Sequence, residues 1–123
     1  MPTVNLTAND IHSTVASHPI VFVDFWAAWC GPCRRFAPIY ERAALANPDI
    51  VFGKVDTDSE QALAAAAGIS SIPTLMAFRD GILVFSQPGA LPAAALSDVI
   101  EAVRQLDMNL VRDSVNAQGA GIR

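Results

Sequence analysis

The 123-residue chain has two cysteines, Cys30 and Cys33, both inside the run WAAWCGPCRR from Trp26 to Arg35. Gly31 and Pro32 separate them. Two thiols at that spacing could close a structural bridge, supply half of a metal site, or cycle between dithiol and disulfide. A bridge closing so small a loop constrains the unfolded chain by only about 2 kcal/mol, against about 4.7 kcal/mol for a 100-residue loop. A single domain of this length with 52% hydrophobic residues has core material enough without a staple. A structural zinc site needs four ligands. The only histidines, His12 and His18, lie upstream without finger-like spacing and are expected on the first helix and at its exit. No metal is expected.

Redox cycling fits the surroundings better. Cys30 follows an apolar strand and opens a helix, where unpaired N–H groups and the helix dipole favour negative charge. The thiolate is the nucleophile, so that position activates Cys30. Cys33 comes about one turn later on the same side, near enough to attack a disulfide formed on Cys30. Gly31 allows close backbone approach, and Pro32 stiffens the loop.

Asp24 interrupts the otherwise apolar stretch from Ile20 to Ala28, so it is expected to be buried. Desolvation raises the pKa of such a carboxyl, and Lys54 in the adjacent strand lessens the rise. A carboxyl poised near neutrality can exchange protons with a nearby thiol, here Cys33. Trp26 is expected to pack in the core and Trp29 to form a partly exposed rim. The acidic trio Asp56, Asp58 and Glu60 is explained by helix capping, with Asp58 as the cap and Gln61 three residues on.

The elements that must hold these groups follow from pattern and punctuation. A short strand is expected over Val4–Leu6, and a helix capped by Thr7 or Asn9 runs to about Ser17. Strands follow at Ile20–Ala27 and Ile50–Thr57, with the helix Gly31–Asn47 between them. Pro32 suits that helix's first turn; Pro38, in its interior, is expected to kink it. A helix from Asp58 ends at Gly68. The strand Thr74–Phe78 then meets the strand Ile82–Gln87 through an Asp80-Gly81 hairpin turn, and a last helix covers Pro92–Leu106. Alternating strands and helices predict parallel pairs, with the hairpin adding an antiparallel edge. Met108, Val111 and Val115 have the spacing of an extra helix, and Gln118–Arg123 is expected to fray.

The motifs resemble the thioredoxin family. The matching residues are VDFWAAWCGPC from Val23 to Cys33, Lys54, SIPT from Ser71 to Thr74, and PGA from Pro88 to Ala90; a CxxC pair beside a βαβ pattern is the short form of that signature. The resemblance covers about Thr3 to Leu106; residues 1–106 are read as one domain and 107–123 as a C-terminal extension. It implies an α/β thioredoxin fold, a central mixed sheet flanked by helices. It also implies that Cys30 attacks substrate disulfides and that Cys33 resolves the mixed disulfide. Pro73 would be a cis proline facing the cysteines, and Trp29, Gly31, Pro32, Ile72, Pro73, Gly89 and Ala90 would line the substrate groove. The partners implied are disulfide-containing protein substrates and thioredoxin reductase, which spends NADPH; no cofactor is bound by the chain itself.

The net charge of −4, with Arg34-Arg35 as the only adjacent basic pair, argues against a nucleic-acid or anionic-membrane partner. No signal-peptide pattern opens the chain and no apolar run is long enough to span a bilayer, so a cytoplasmic monomer is expected. Arg34 stands where the family usually has Lys. Ser71 replaces a common Gly, and Thr57 lies where many members have an apolar groove residue. Two rival readings are an oxidase or isomerase of an oxidising compartment, and a non-catalytic subunit that uses the groove only to bind.

Overall fold

The apolar run from Ile20 forms the central strand of a five-stranded mixed sheet. A computed structural model describes residues 2–122, with side chains described through residue 117. In chain order the elements are β1 (Thr3–Asn5), α1 (Ile11–Ser17), β2 (Ile20–Trp26), α2 (Gly31–Ala46), β3 (Val51–Asp56), α3 (Gln61–Ala66), β4 (Thr74–Arg79), β5 (Ile82–Pro88), α4 (Ala93–Arg104) and α5 (Met108–Ile122). The sheet order is β1-β3-β2-β4-β5. β1 and β2 run parallel to β3, and β4 runs antiparallel to β2 and β5.

Period-two alternation on β2 sends Phe22, Asp24 and Trp26 to one face and Val21, Val23 and Phe25 to the other. The first face meets α2 and α4, where Phe22, Phe36, Tyr40, Phe52, Leu96 and Ile100 form one core. The Phe22 and Phe52 rings stack at 5.4 Å, and Tyr40 meets Phe52 edge-on at 5.3 Å. The Tyr40 hydroxyl donates to the Gly53 carbonyl at 2.8 Å, which satisfies the phenol inside the core. The second face packs Val21, Val23, Phe25 and Val55 against Leu6 and Ile11. Gly53 sits where a β-carbon would run into the Leu6 side chain, so glycine is what lets that residue close the core.

Several expectations are corrected. Strand–helix alternation predicts that β4 continues the parallel set, but it reverses. A helix as short as α3 climbs only about 9 Å, while a strand the length of β3 covers about 20 Å. The chain therefore never returns to the far end of the sheet, and β4 starts where β3 finished. Asp10, not Thr7 or Asn9, is the N-cap of α1, and its carboxylate turns back to accept from the Thr7 N–H at 2.7 Å. Glu60, not Asp58, precedes α3; the turn before it is held by Asp56, which accepts from the Asp58 N–H at 2.9 Å. Pro38 lies inside α2, which runs as one helix from Gly31 to Ala46.

The Asp80-Gly81 turn has the expected chemistry, with φ of 52° and 81° at its two central residues, as a tight two-residue hairpin requires. Helix α5 lies along the exposed edge strand β5. Met108 is buried, and Arg112 pairs with Asp80 at 3.5 Å. Among the described residues no helix is long and apolar enough to cross a membrane. The fraying expected over Gln118–Arg123 is corrected for the backbone, which is helical through Ile122; Arg123 lies outside the described residues.

Candidate active site

Three loops converge at the end of the sheet where β2 stops and β4 starts. The first is the turn from β2 into α2. Cys30 is the N-cap of that helix in extended conformation, with Pro32 in the first turn. A disulfide joins Cys30 to Cys33, with Cα atoms 5.2 Å apart, inside the range such bridges occupy. The Cys33 N–H, one of the unpaired donors of the helix start, donates to the Cys30 sulfur at 3.2 Å. The two cysteines are almost equally buried, at 4% and 3% exposed, so burial does not tell them apart. Their hydrogen bonding does, because only Cys30 receives the helix N–H.

The second loop carries Ile72 and Pro73, joined by a cis peptide bond. The Ile72 carbonyl oxygen is 3.7 Å from the Cys30 sulfur. Pro73 is fully buried, and its carbonyl accepts from the Gly89 N–H at 2.8 Å. That bond ties in the third loop, where Gly89 has a φ of 100° and Gly89 and Ala90 are exposed. Trp29 stands on the opposite rim, 68% exposed, with its indole N–H donating to both Asp58 carboxylate oxygens at 3.1 and 3.3 Å. Trp29, Thr57, Ile69, Ser71 and Ile72 line one hollow beside the cysteines. Ser71 is exposed there, whereas the Thr57 hydroxyl is committed to the Trp26 carbonyl at 3.0 Å.

Asp24 lies on the α2 face of β2, directly opposite Lys54 in the β2–β3 register. It is 1% exposed, and its Oδ1 has no hydrogen-bond partner among the described residues. Burial pushes its carboxyl up to about 7, and the charge of Lys54 opposes that rise. The ion pairs among the described residues are those of Arg104 and Arg112, so Asp24 and Lys54 do not touch directly. The Lys54 ammonium instead lies 4.9 Å from the centre of the Trp26 ring, a cation–π arrangement. Asp24 is felt in turn by Tyr40, whose phenol is raised by burial and by that nearby carboxylate.

All eleven residues singled out in the sequence thus gather at one end of the sheet or on the strands beneath it. Two that the sequence did not assign to the site join them. Asp58, expected only to cap a helix, anchors the Trp29 indole; Trp26, expected only to pack, carries Lys54 on its ring face. The signal for both was topological. Trp26 and Asp56 are register partners, so the residues just beyond each must meet. The remaining acidic residues of that segment have ordinary work. Asp56 accepts from the N–H groups of Asp58 and Ser59, and Glu60 accepts from the Ala8 N–H at 2.8 Å.

The thioredoxin family model matches residues 2–102. The chain is 58% identical over 118 residues to a putative thioredoxin 2 of Streptomyces coelicolor, covering 96% of this chain and 88% of that protein. That match takes in most of α5. It is also 46% identical over 82 residues to thioredoxin 1 of Synechococcus elongatus, covering 66% of this chain and 77% of that one. Among solved structures, a mutant thioredoxin from Halobacterium salinarum superimposes with a TM-score of 0.79 at 34% identity, over 85% of this chain and 94% of the other. The oxidised mitochondrial thioredoxin 3 of Saccharomyces cerevisiae gives 0.75 at 29% identity, over 81% and 94%.

Proposed function

The chain belongs to the thioredoxin family of protein-disulfide oxidoreductases, and we propose that it works in the reducing direction, as a cytoplasmic, monomeric reductase of protein disulfides. The observation that carries the exchange chemistry is the Cys30–Cys33 pair on the N-terminus of α2, with a helix N–H directed at the Cys30 sulfur; the reducing direction is inferred from the Gly31-Pro32 dipeptide between the cysteines and from the likeness to thioredoxins. The same donor that contacts the disulfide favours a thiolate on Cys30 once the pair is reduced.

In the proposed cycle the Cys30 thiolate attacks one sulfur of a substrate disulfide. The substrate S–S bond breaks, a Cys30–substrate disulfide forms, and the other substrate sulfur leaves as a thiolate. Asp24 takes the proton of the Cys33 thiol, aided by its position on the same face of the sheet as α2. Cys33 then attacks the Cys30 sulfur, which closes Cys30–Cys33 and releases the second substrate thiolate. Two electrons pass to the substrate, and the chain ends in the disulfide form. Lys54 limits how far the Asp24 carboxyl is raised and so keeps it able to release a proton near neutral pH.

The substrate backbone would lie along Ile72, whose N–H has no backbone partner among the described residues. Main-chain pairing there tolerates many sequences. Trp29, Gly31, Pro32, Pro73, Gly89 and Ala90 would contribute the walls. Thioredoxin reductase would restore the dithiol with electrons from NADPH, which never binds this chain. Residues 107–123 stand as an extension to the 1–106 domain.

The test is coupled turnover with purified thioredoxin reductase, NADPH and a disulfide-bonded protein. NADPH oxidation that requires this chain supports the proposal. If the reductase leaves Cys30–Cys33 oxidised, or the reduced chain leaves the protein's disulfides intact, the reducing direction is wrong.

A further inference from the structure

The chain is acidic overall, yet its cations are used unevenly. Lys54 lies over Trp26 beneath the motif. Arg79 donates to the carbonyls of Val103 and Arg104 at the end of α4. Arg104 pairs with Asp49, and Arg112 with Asp80. Among the described residues this leaves Arg34, Arg35 and Arg42, none of which has a carboxylate within ion-pair distance. All three are exposed and all three are on α2.

Helical spacing turns them into a row. Arg35 and Arg42 are about two turns apart and share a face, with Arg34 to one side. That face lies opposite the buried Cys33, Phe36, Tyr40 and Ala44. The row begins at the redox pair. The Arg35 and Arg34 guanidinium groups lie 3.5 and 3.9 Å from the point where a Gly31 β-carbon would stand, and Arg34 donates to the Ala28 carbonyl at 2.8 Å. The one carboxylate on α2, Glu41, accepts from the Thr3 hydroxyl. On the far rim the charge has the other sign, with Asp58 under Trp29. The mouth of the site is therefore polarised, cationic along α2 and anionic beyond Trp29.

We propose that the arginine row on α2 is a docking surface for acidic segments of protein substrates, next to the disulfide to be reduced. This rests on the reductase reading above and names the substrates it favours. Solvent screens the net negative charge over about 8 Å at physiological salt, so a docking partner feels the nearby arginines most. Guanidinium forks match carboxylates in shape as well as charge. Complementary charge of this kind acts mainly on the rate of productive encounter.

The experiment uses three synthetic disulfide peptides, identical except for Glu, Gln or Lys beside the cysteines, and measures their second-order reduction by the reduced chain. At about 20 mM salt the Glu peptide is expected to react about three- to tenfold faster than the Gln peptide. The ratio falls toward one at about 300 mM salt and in the Arg35→Gln/Arg42→Gln variant. That variant reduces the Gln peptide at the wild-type rate. Equal Glu and Gln rates, a faster Lys peptide, or a ratio that survives the double substitution overturns the proposal. Reduction of none of the peptides would fault the reductase reading instead. The surface is then read without chemistry, by titrating the same peptides with Ser for Cys into the oxidised chain. Shifts of the Arg35 and Arg42 amide signals by the Glu peptide alone support the row; no such shift overturns it.

Discussion

Asp24 lies on the sheet face beneath α2 with Lys54 as its register partner on β3; Asp49 lies just past the other end of that helix, paired with Arg104 at 2.7 Å. Both are carboxylates set against one basic side chain, and they are driven in opposite directions. Burial raises Asp24 to about 7 despite Lys54, whereas the Arg104 hydrogen bond holds Asp49 below its usual range. The difference lies in solvent and contact. Asp49 keeps its water and gains a charge-assisted hydrogen bond. Asp24 is desolvated, has no partner for Oδ1 among the described residues, and has its cation drawn off onto the Trp26 ring. An arrangement that tied Asp24 to Lys54 as firmly as Asp49 is tied to Arg104 would leave a fixed anion, useless for moving a proton at neutral pH.

Substitution breaks this comparison most strongly at Asp24. In the fold its carboxyl keeps a proton up to about pH 7, but in the unfolded chain only up to about pH 4. The folded state therefore binds more protons across that window. Its stability is complete below pH 4 and declines as pH rises through 7. Asp24→Asn removes the decline, so the variant should exceed the wild type by roughly 3–4 kcal/mol at pH 8 and match it near pH 4, as read by urea unfolding. A gap that does not widen with pH would show that the buried carboxyl is not the source. At Asp49 the sign reverses: its contribution is present above the carboxylate range and is lost as pH falls.

The next largest effect is kinetic. Asp24→Asn should slow release of the mixed disulfide by about 10²-fold near pH 7, the lower end for loss of a general base. The rate should also lose its inflection near 7. Unchanged release from pH 6 to 9 would remove the proton-transfer role. Lys54→Met sharpens the comparison by removing the opposing charge, and should move the inflection up by about one pH unit. An inflection that stays in place would mean that Lys54 does not reach Asp24. The smallest effect belongs to the exposed pair. Asp49→Asn should leave reductase turnover unchanged and the thermal midpoint at pH 7 close to that of the wild type, since screened surface pairs contribute little.

How much of this was legible in the sequence depended on how local each signal was. The WCGPC run, the apolar β2, the Asp80-Gly81 turn and the burial of Asp24 each declare themselves within a few residues. The starts of α1 and α3 did not. Asp10 and Asp56 use their carboxylates on the turns before α1 and α3, a competition among neighbouring polar side chains that composition leaves undecided. The direction of β4 depends on α3 being too short to return the chain across the sheet, and a boundary uncertain by two or three residues hides that length. The Asp58–Trp29 and Lys54–Trp26 contacts needed the pairing of β2 with β3, a long-range fact. Chemistry carried by contiguous residues could thus be read directly, whereas the groups that tune it were brought together by the sheet.

The division of labour between the two cysteines is tested most directly by trapping. Cys33→Ser and Cys30→Ser, each reduced, would be mixed with a disulfide-bonded protein and analysed by mass spectrometry of the covalent adducts. The expected result is a stable mixed disulfide through Cys30 in Cys33→Ser and none in Cys30→Ser. Adducts through Cys33 in the Cys30→Ser variant, with none through Cys30 in the other, would contradict the assignment of the helix-capping sulfur as the attacking nucleophile.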